Sequence, residues 1–269
     1  ATERPTLRYA PERVRATARS IPPDLAVGTV IQGVVRLFPP SGPVRPQGYD
    51  FAFKNFFAGI GASGFFLSGP KAAPATAEPR PGRGRIGMLL DALANWRGEL
   101  AARIADRIGG AEGQIAAALI TGVRAGIPDE VNEALRVTGL YHVISISGLH
   151  MALVAGTVLV AVRCAFAMVP GFSMRHPVKK YAAAVALLAS AAYLLISGAE
   201  VAAQRSFLML AVMLVAVMFD RAALTMRNLA ISACIIILVS PHEVVGPSFQ
   251  MSFAATAALI AAYAQWTRW

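Results

Sequence analysis

The run from Val143 to Val162, VISISGLHMALVAGTVLVAV, contains a single ionisable residue, His150, in 20 positions. An apolar helix of that length covers about 30 Å, the thickness of bilayer hydrocarbon. Four further apolar runs follow, Tyr181 to Ser197, Ser206 to Phe219, Leu229 to Val239 and Phe249 to Ala264. The run from Ser206 reaches spanning length only by including Val201 to Arg205, and that from Leu229 is short enough to be tilted, re-entrant or buried. The expected fold is therefore mainly α, a polytopic membrane helical bundle of about five segments over residues 141–269.

Composition agrees. Hydrophobic residues make up 56% of the chain and charged residues 15%, more apolar surface than a soluble domain of 269 residues buries. Residues 1–140 hold 17 of the 25 Lys and Arg and 12 of the 15 Asp and Glu, which places a boundary near residue 140. A net charge of +10 suits a polyanion or an anionic lipid surface equally. Cys164 and Cys234 lie within apolar segments and imply neither a disulfide nor a zinc framework. The chain begins at Ala1 without methionine, has no signal peptide and stops at Trp269 just after an apolar segment, so it reads as part of a longer protein.

Toward the N-terminus, short runs rich in Val or Phe (Val14 to Ala18, Val27 to Leu37, Gly64 to Leu67) are separated by Pro22-Pro23, Pro39-Pro40 and Gly42-Pro43. This pattern signals strands joined by turns and a small β domain over residues 1–69. The Pro, Ala, Gly and Arg content makes 70–85 a linker. Residues 86–140 are expected to be amphipathic interfacial helices. Leu89, Leu93, Trp96, Leu100, Ile104 and Ile108 recur at helical spacing with Arg97, Arg103 and Arg107 elsewhere on the wheel, and Gly109-Gly110 closes the helix. A second, short helix starts at Pro128, with Asp129 and Glu130 favourable to its dipole, and ends at Gly139.

Loop charges set an orientation. Arg175, Lys179, Lys180, Arg221, Arg227 and Arg268 fall in alternate connections, whereas Glu200, His242 and Glu243 fall in the others. The basic loops are expected in the cytoplasm and the β domain on the opposite side, outside the cytoplasmic membrane.

The string from Gly139 to His150, GLYHVISISGLH, sets two histidines and two serines at the mouth of the first span, where polar groups are costly without a partner or water. On one helix His142, Ser147 and His150 would share a face. Gly148, Ala152 and Gly156 form a small-residue stripe suited to close helix packing.

This string resembles the characteristic motif of the ComEC-type competence family, inner-membrane proteins that bring transforming DNA into bacterial cells. The resemblance extends in order through Ala118-Leu119-Ile120-Thr121-Gly122-Val123-Arg124, Ile127-Pro128, Gln204-Arg205, Arg221, Asn228-Leu229-Ala230, Pro241 and Ser248-Phe249-Gln250-Met251-Ser252-Phe253. Arg45-Pro46-Gln47-Gly48-Tyr49-Asp50-Phe51 is similar to a step in the family's extracytoplasmic OB-like module, here truncated at its N-terminus. Val123 departs from an acidic position and Gln47 from a glycine. No His-x-His-x-Asp-His string for the family's metallo-β-lactamase-like domain is present, so the resemblance implies neither an enzyme nor a metal or other cofactor in these residues.

The resemblance implies a membrane channel component for uptake of single-stranded DNA, with the lipid bilayer and other DNA-uptake proteins as further partners. Its polar lining would come from His142, Ser145, Ser147, His150, Glu200, Gln204, Arg205, Gln250 and Ser252, with Arg205 touching phosphate and pairing with Glu200 when no DNA is present. The OB-like module would contribute a DNA-binding surface from Arg13, Arg15, Arg19, Arg36, Arg45 and Lys54. Phe51, Phe53, Phe56 and Phe57 are expected inside the small barrel rather than as stacking platforms. Two other classes remain open: a small-solute transporter, and an intramembrane hydrolase using Ser147 with His150 or His142. Ser147 and His150 on one helix are expected to lack the geometry for the second.

Overall fold

A computed structural model describes residues 11, 13–18, 21–22, 25–43, 45–46, 48–73, 84–169, 171 and 175–266. Arg19, Gln47, Arg268 and most of the expected linker lie outside the described residues. The chain divides into two compact units, Ala1–Ala92 and Leu93–Trp269.

In the first unit, β1 (Arg13–Thr17) pairs in parallel with β4 (Ile60–Phe66), and β3 (Val35–Phe38) pairs antiparallel on the other edge of β4. β2 (Ile31–Gln32) and β5 (Lys71–Ala72) form a separate two-residue ladder, the latter inside the expected linker. The strand signals thus give a small β region. Its described strands form an open sheet and a ladder rather than a closed barrel. Gly64 has to be glycine, because a Cβ there would overlap the carbonyl of Arg36 on the neighbouring strand.

One expectation fails here. Phe51–Phe57 is helix α1, started by Asp50, whose Oδ1 accepts from the Ala52 amide at 2.8 Å. At helical spacing its phenylalanines cannot all turn inward, and Phe51, Phe53, Phe56 and Phe57 are all exposed. Phe57 packs instead against Phe53 and Phe56 at 4.9 and 5.4 Å, and Phe51 against Tyr49 at 5.2 Å.

The long amphipathic helix α2 (Arg85–Ile108) forms at the expected bounds. Its packed face, however, is Ala101 and Ala105 with Ile104, set against Ala117 of α3 (Gly110–Thr121). Half of the predicted stripe stays exposed, Leu89, Trp96 and Ile108, while Leu93, Leu100 and Ile104 are half-buried. A Cβ on Gly113 would strike the Ala105 backbone, so the α2–α3 crossing is close because both sides are small. Residues 93–140 therefore belong to the helical unit. α4 (Asp129–Val137) follows, its Val131 and Leu135 packing on the buried Ala118, Ile127 and Ile144.

The bundle proper consists of α5 (Tyr141–Ile144), α6 (Gly148–Ala167), α7 (Val178–Ile196), α8 (Val201–Met218), α9 (Met226–Val239), a 3₁₀ turn (Pro241–Val245) and α10 (Pro247–Trp266). Three of these, α6, α7 and α8, are long and apolar enough to cross a membrane. The 14-residue α9 rises only about 21 Å, short of the hydrocarbon thickness. α10 has the length but lies outside that set, its first turns carrying Ser248, Gln250, Ser252 and Thr256. The core of the bundle is Ala155, Ala183, Ala186 and Leu214, so α7 supplies the small-residue face through Ala182, Ala183, Ala186 and Ser190.

That corrects the expected packing motif. Along α6 the inward positions are Met151 and Ala155, one residue off the predicted stripe, a rotation of about 100°. Ala152 and Gly156 are exposed, and a Cβ on Gly156 would meet nothing within 4 Å. Only Gly148 makes a close approach, its would-be Cβ lying 3.3 Å from Ser206 Oγ on α8.

Candidate functional site

Cross-strand register puts side chains of directly paired residues on the same face of a sheet. Arg15 pairs with Ser63 and Ser63 with Phe38, while Thr17 pairs with Phe65 and Phe65 with Arg36. One face of the sheet therefore carries Arg15, Arg36, Phe38 and Phe65, all exposed. The Arg36 guanidinium lies 5.3 Å from the centre of the Phe38 ring, and Phe38 and Phe65 are 6.0 Å apart. The opposite face holds Val14, Ala16, Ala62 and Leu37. Of the predicted basic surface, Arg15 and Arg36 are brought together. Arg13 precedes a bulge that takes it out of register, and Arg45 and Lys54 sit on a turn and on α1.

At the mouth of α6 the helix expected to begin at Val143 is broken. α5 ends at Ile144, Ser145 to Ser147 are extended or irregular, and α6 starts at Gly148 with Ser147 as its N-cap. His142 and His150 consequently do not share a helical face. His142 Nδ1 lies 2.9 Å from the Gly139 carbonyl at the surface. His150 Nδ1 instead accepts from the Ser147 amide at 3.3 Å, a capping-box arrangement, and lies 3.2 Å from Ser147 Oγ. With Nδ1 accepting, the proton sits on Nε2, which is left to donate. Contrary to expectation, serine and histidine do reach hydrogen-bond distance, because Ser147 is outside the helix. The contact closes a helix end, and no carboxylate orients the imidazole among the described residues.

The break is fixed by burial. Ile146 is fully buried among Met151, Ala203, Tyr193 and Phe207. Beside it, Gly122 ends α3 at φ +74°, and any Cβ there would overlap the Ser197 carbonyl after α7. Tyr193 donates its hydroxyl to the Leu119 carbonyl at 2.9 Å. Arg124 donates from one nitrogen to both oxygens of Glu200 at 2.5 and 2.6 Å. Arg97 lies over Gly198, which has φ +86°. The end of α3, the α5–α6 break and the α7–α8 turn are thus one junction.

Glu200, then, pairs with Arg124, and the expected Glu200–Arg205 pair does not form. Arg205, facing inward from α8, donates to Glu243 of the 3₁₀ turn at 3.1 Å. Their side chains are 8% and 15% exposed. A charge buried this deeply is tolerable only when paired, yet Arg205 Nε, like that of Arg97 and Arg124, is buried without a partner. Gln204 and Gln250 are exposed and bond the Ala199 and Val244 carbonyls at 2.7 and 3.3 Å; Ser145 and Ser252 are half-buried. Sequence reasoning missed Arg97, Gly122, Tyr193 and the role of Glu243. Gly122 and Arg124 were visible as part of a motif but gave no sign of their partners.

Spanning helices packed through small residues, with ion pairs holding adjoining loops and turns to their ends, define a polytopic membrane protein. The family model described as Competence protein matches residues 119–269, from the Leu119 carbonyl that binds Tyr193 to the last residue. The chain belongs to the competence protein family, as its ordered motifs suggested, and thereby has a competence-related role. No curated protein and no solved structure matches it.

Proposed function

We propose that this chain is a channel component that passes single-stranded DNA across the bacterial cytoplasmic membrane, acting as a conduit rather than a catalyst. The observation that carries the reading is Arg205, a permanent cation buried in a spanning helix with one counter-ion and an unfilled donor. Ionisable groups that face inward within a spanning helix mark substrate paths by default. A phosphodiester offers a guanidinium the same paired oxygens as a carboxylate. An incoming phosphate can therefore take the place of Glu243 without leaving Arg205 unpaired. Arg97 and Arg124 add two more unfilled donors near the α7–α8 turn.

In this reading the basic loops face the cytoplasm and the β region lies outside, where its Arg15, Arg36, Phe38 and Phe65 face takes up a single strand by stacking and backbone contact. His150 Nε2 and Ser145 line the entrance to α6. The test is photo-crosslinking during uptake of labelled DNA, with a photoreactive amino acid placed at His150 or at Gly156 on the same helix. Capture at 150 and none at 156 supports the reading. Equal capture at both, or none at 150, overturns it.

A further inference from the structure

The ends of α6, α7 and α8 meet around a second polar feature that the DNA path does not use. A cavity of about 400 Å³ is lined there by Arg163, Lys179, Lys180 and Asp220 together with apolar groups. Asp220 is held at φ +57° and pairs with Lys180 at 2.6 Å. Arg163 and Lys179 have no hydrogen bond or ion pair with any described residue. Three cations against one carboxylate leave the cavity electropositive, and the amino end of the 19-residue α7 adds its positive dipole end.

We propose that this cavity binds the phosphate headgroup of an anionic membrane lipid. The position favours a lipid over any other phosphate source. Arg163 lies one turn before the end of a spanning helix, where a long cationic side chain reaches toward the headgroup layer. Exposed Met168, Val169, Tyr181 and Phe219 rim the same ends, and Val160, Val185 and Leu188 continue along the exposed flanks of α6 and α7, offering a track for acyl chains. Basic pockets between spanning helices on the cytoplasmic side are the usual sites for acidic headgroups. The proposal rests on the orientation proposed above, with the basic loops in the cytoplasm, and does not depend on DNA passage.

The chain purified in detergent is titrated with short-chain phosphatidylglycerol, phosphatidylcholine, inorganic phosphate and a single-stranded oligonucleotide, with native mass spectrometry counting the bound molecules. Phosphatidylglycerol is expected to bind saturably and phosphatidylcholine not to. Arg163→Gln and Lys179→Gln should each weaken binding about fivefold. Both residues are exposed, so unchanged melting temperatures should show that the variants are folded. Asp220→Asn should tighten lipid binding, since it removes the carboxylate that competes for Lys180; a purely structural ion pair predicts no gain. Equal binding of the two lipids, unaltered binding in both glutamine variants, or displacement of the lipid by phosphate or oligonucleotide at the same concentration would each overturn the proposal.

Discussion

The sheet face of the first unit and the packed interior of the helical unit carry arginine in opposite ways. On the sheet face of the first unit, Arg15 and Arg36 are exposed, Arg36 lies over the Phe38 ring, and neither has a carboxylate partner among the described residues. In the helical unit Arg205 is buried and Arg124 half-buried, and each has a carboxylate brought from far along the chain, Glu243 and Glu200 respectively. The difference is one of solvation. A solvated guanidinium costs the fold little and is free for a ligand, whereas a buried one has to be neutralised within the protein before any ligand arrives. A polyanion would therefore meet an open electrostatic surface on the sheet face and an occupied one at Arg205 and Arg124, where it must displace a partner.

Separating the two kinds of arginine by mutation gives the largest effects first. Removing one member of the buried pair, by Arg205→Ala or Glu243→Ala, should cost about 3–5 kcal/mol in stability. The double substitution Arg205→Met with Glu243→Leu should recover most of that loss, a double-mutant cycle that denaturant unfolding in micelles can read. Gly122→Ala combines a left-handed backbone with a Cβ overlapping the Ser197 carbonyl, and should cost about 2 kcal/mol or more in the same assay. Gly148→Leu should lower the amount of folded protein in the membrane through its contact with Ser206, while Gly156→Leu, facing open space, should leave it unchanged.

The exposed unit should respond in binding rather than in stability. Arg36→Ala should shift stability by less than about 0.5 kcal/mol, and Phe38→Ala should weaken single-stranded DNA binding by about 1–3 kcal/mol, as measured by fluorescence anisotropy. His150→Ala lies between the two cases. Loss of its cap should cost about 1 kcal/mol, too little to empty the membrane of protein, so a clear loss of labelled-DNA uptake would report on the path itself.

What the sequence made legible follows the same division. Long apolar runs revealed the spans, because hydropathy is a local property, and the ordered motifs carried the family. Partners were not legible. Glu243 stands 38 residues from Arg205 and Glu200 stands 76 from Arg124, separations that only the packed bundle closes. Loop charge placed Glu200 nearest Arg205, and proximity in sequence misled. The α6 stripe failed by one residue, since Ala152 and Gly156 carry the same small side chains as the true packing position, Ala155, and composition cannot fix helix rotation. FAFKNFF looked like barrel core because a small barrel needs its phenylalanines inside, but the Asp50 cap starts a helix there. The Ala-rich α3 was passed over because Gly109-Gly110 was read only as a stop.

In the proposed function the Arg205–Glu243 pair is the occupied form of a phosphate site. The double variant Arg205→Gln with Glu243→Gln keeps polar side chains of similar size at both positions and removes both charges, so the buried region has no isolated ion to destabilise it. Uptake of labelled DNA, normalised to the amount of protein in the membrane, is the direct measurement. The expected result is a normal protein level with uptake reduced at least about tenfold, the equivalent of one lost charge-assisted contact. Full uptake by a normally expressed double variant would contradict it and leave Arg205 a structural ion pair.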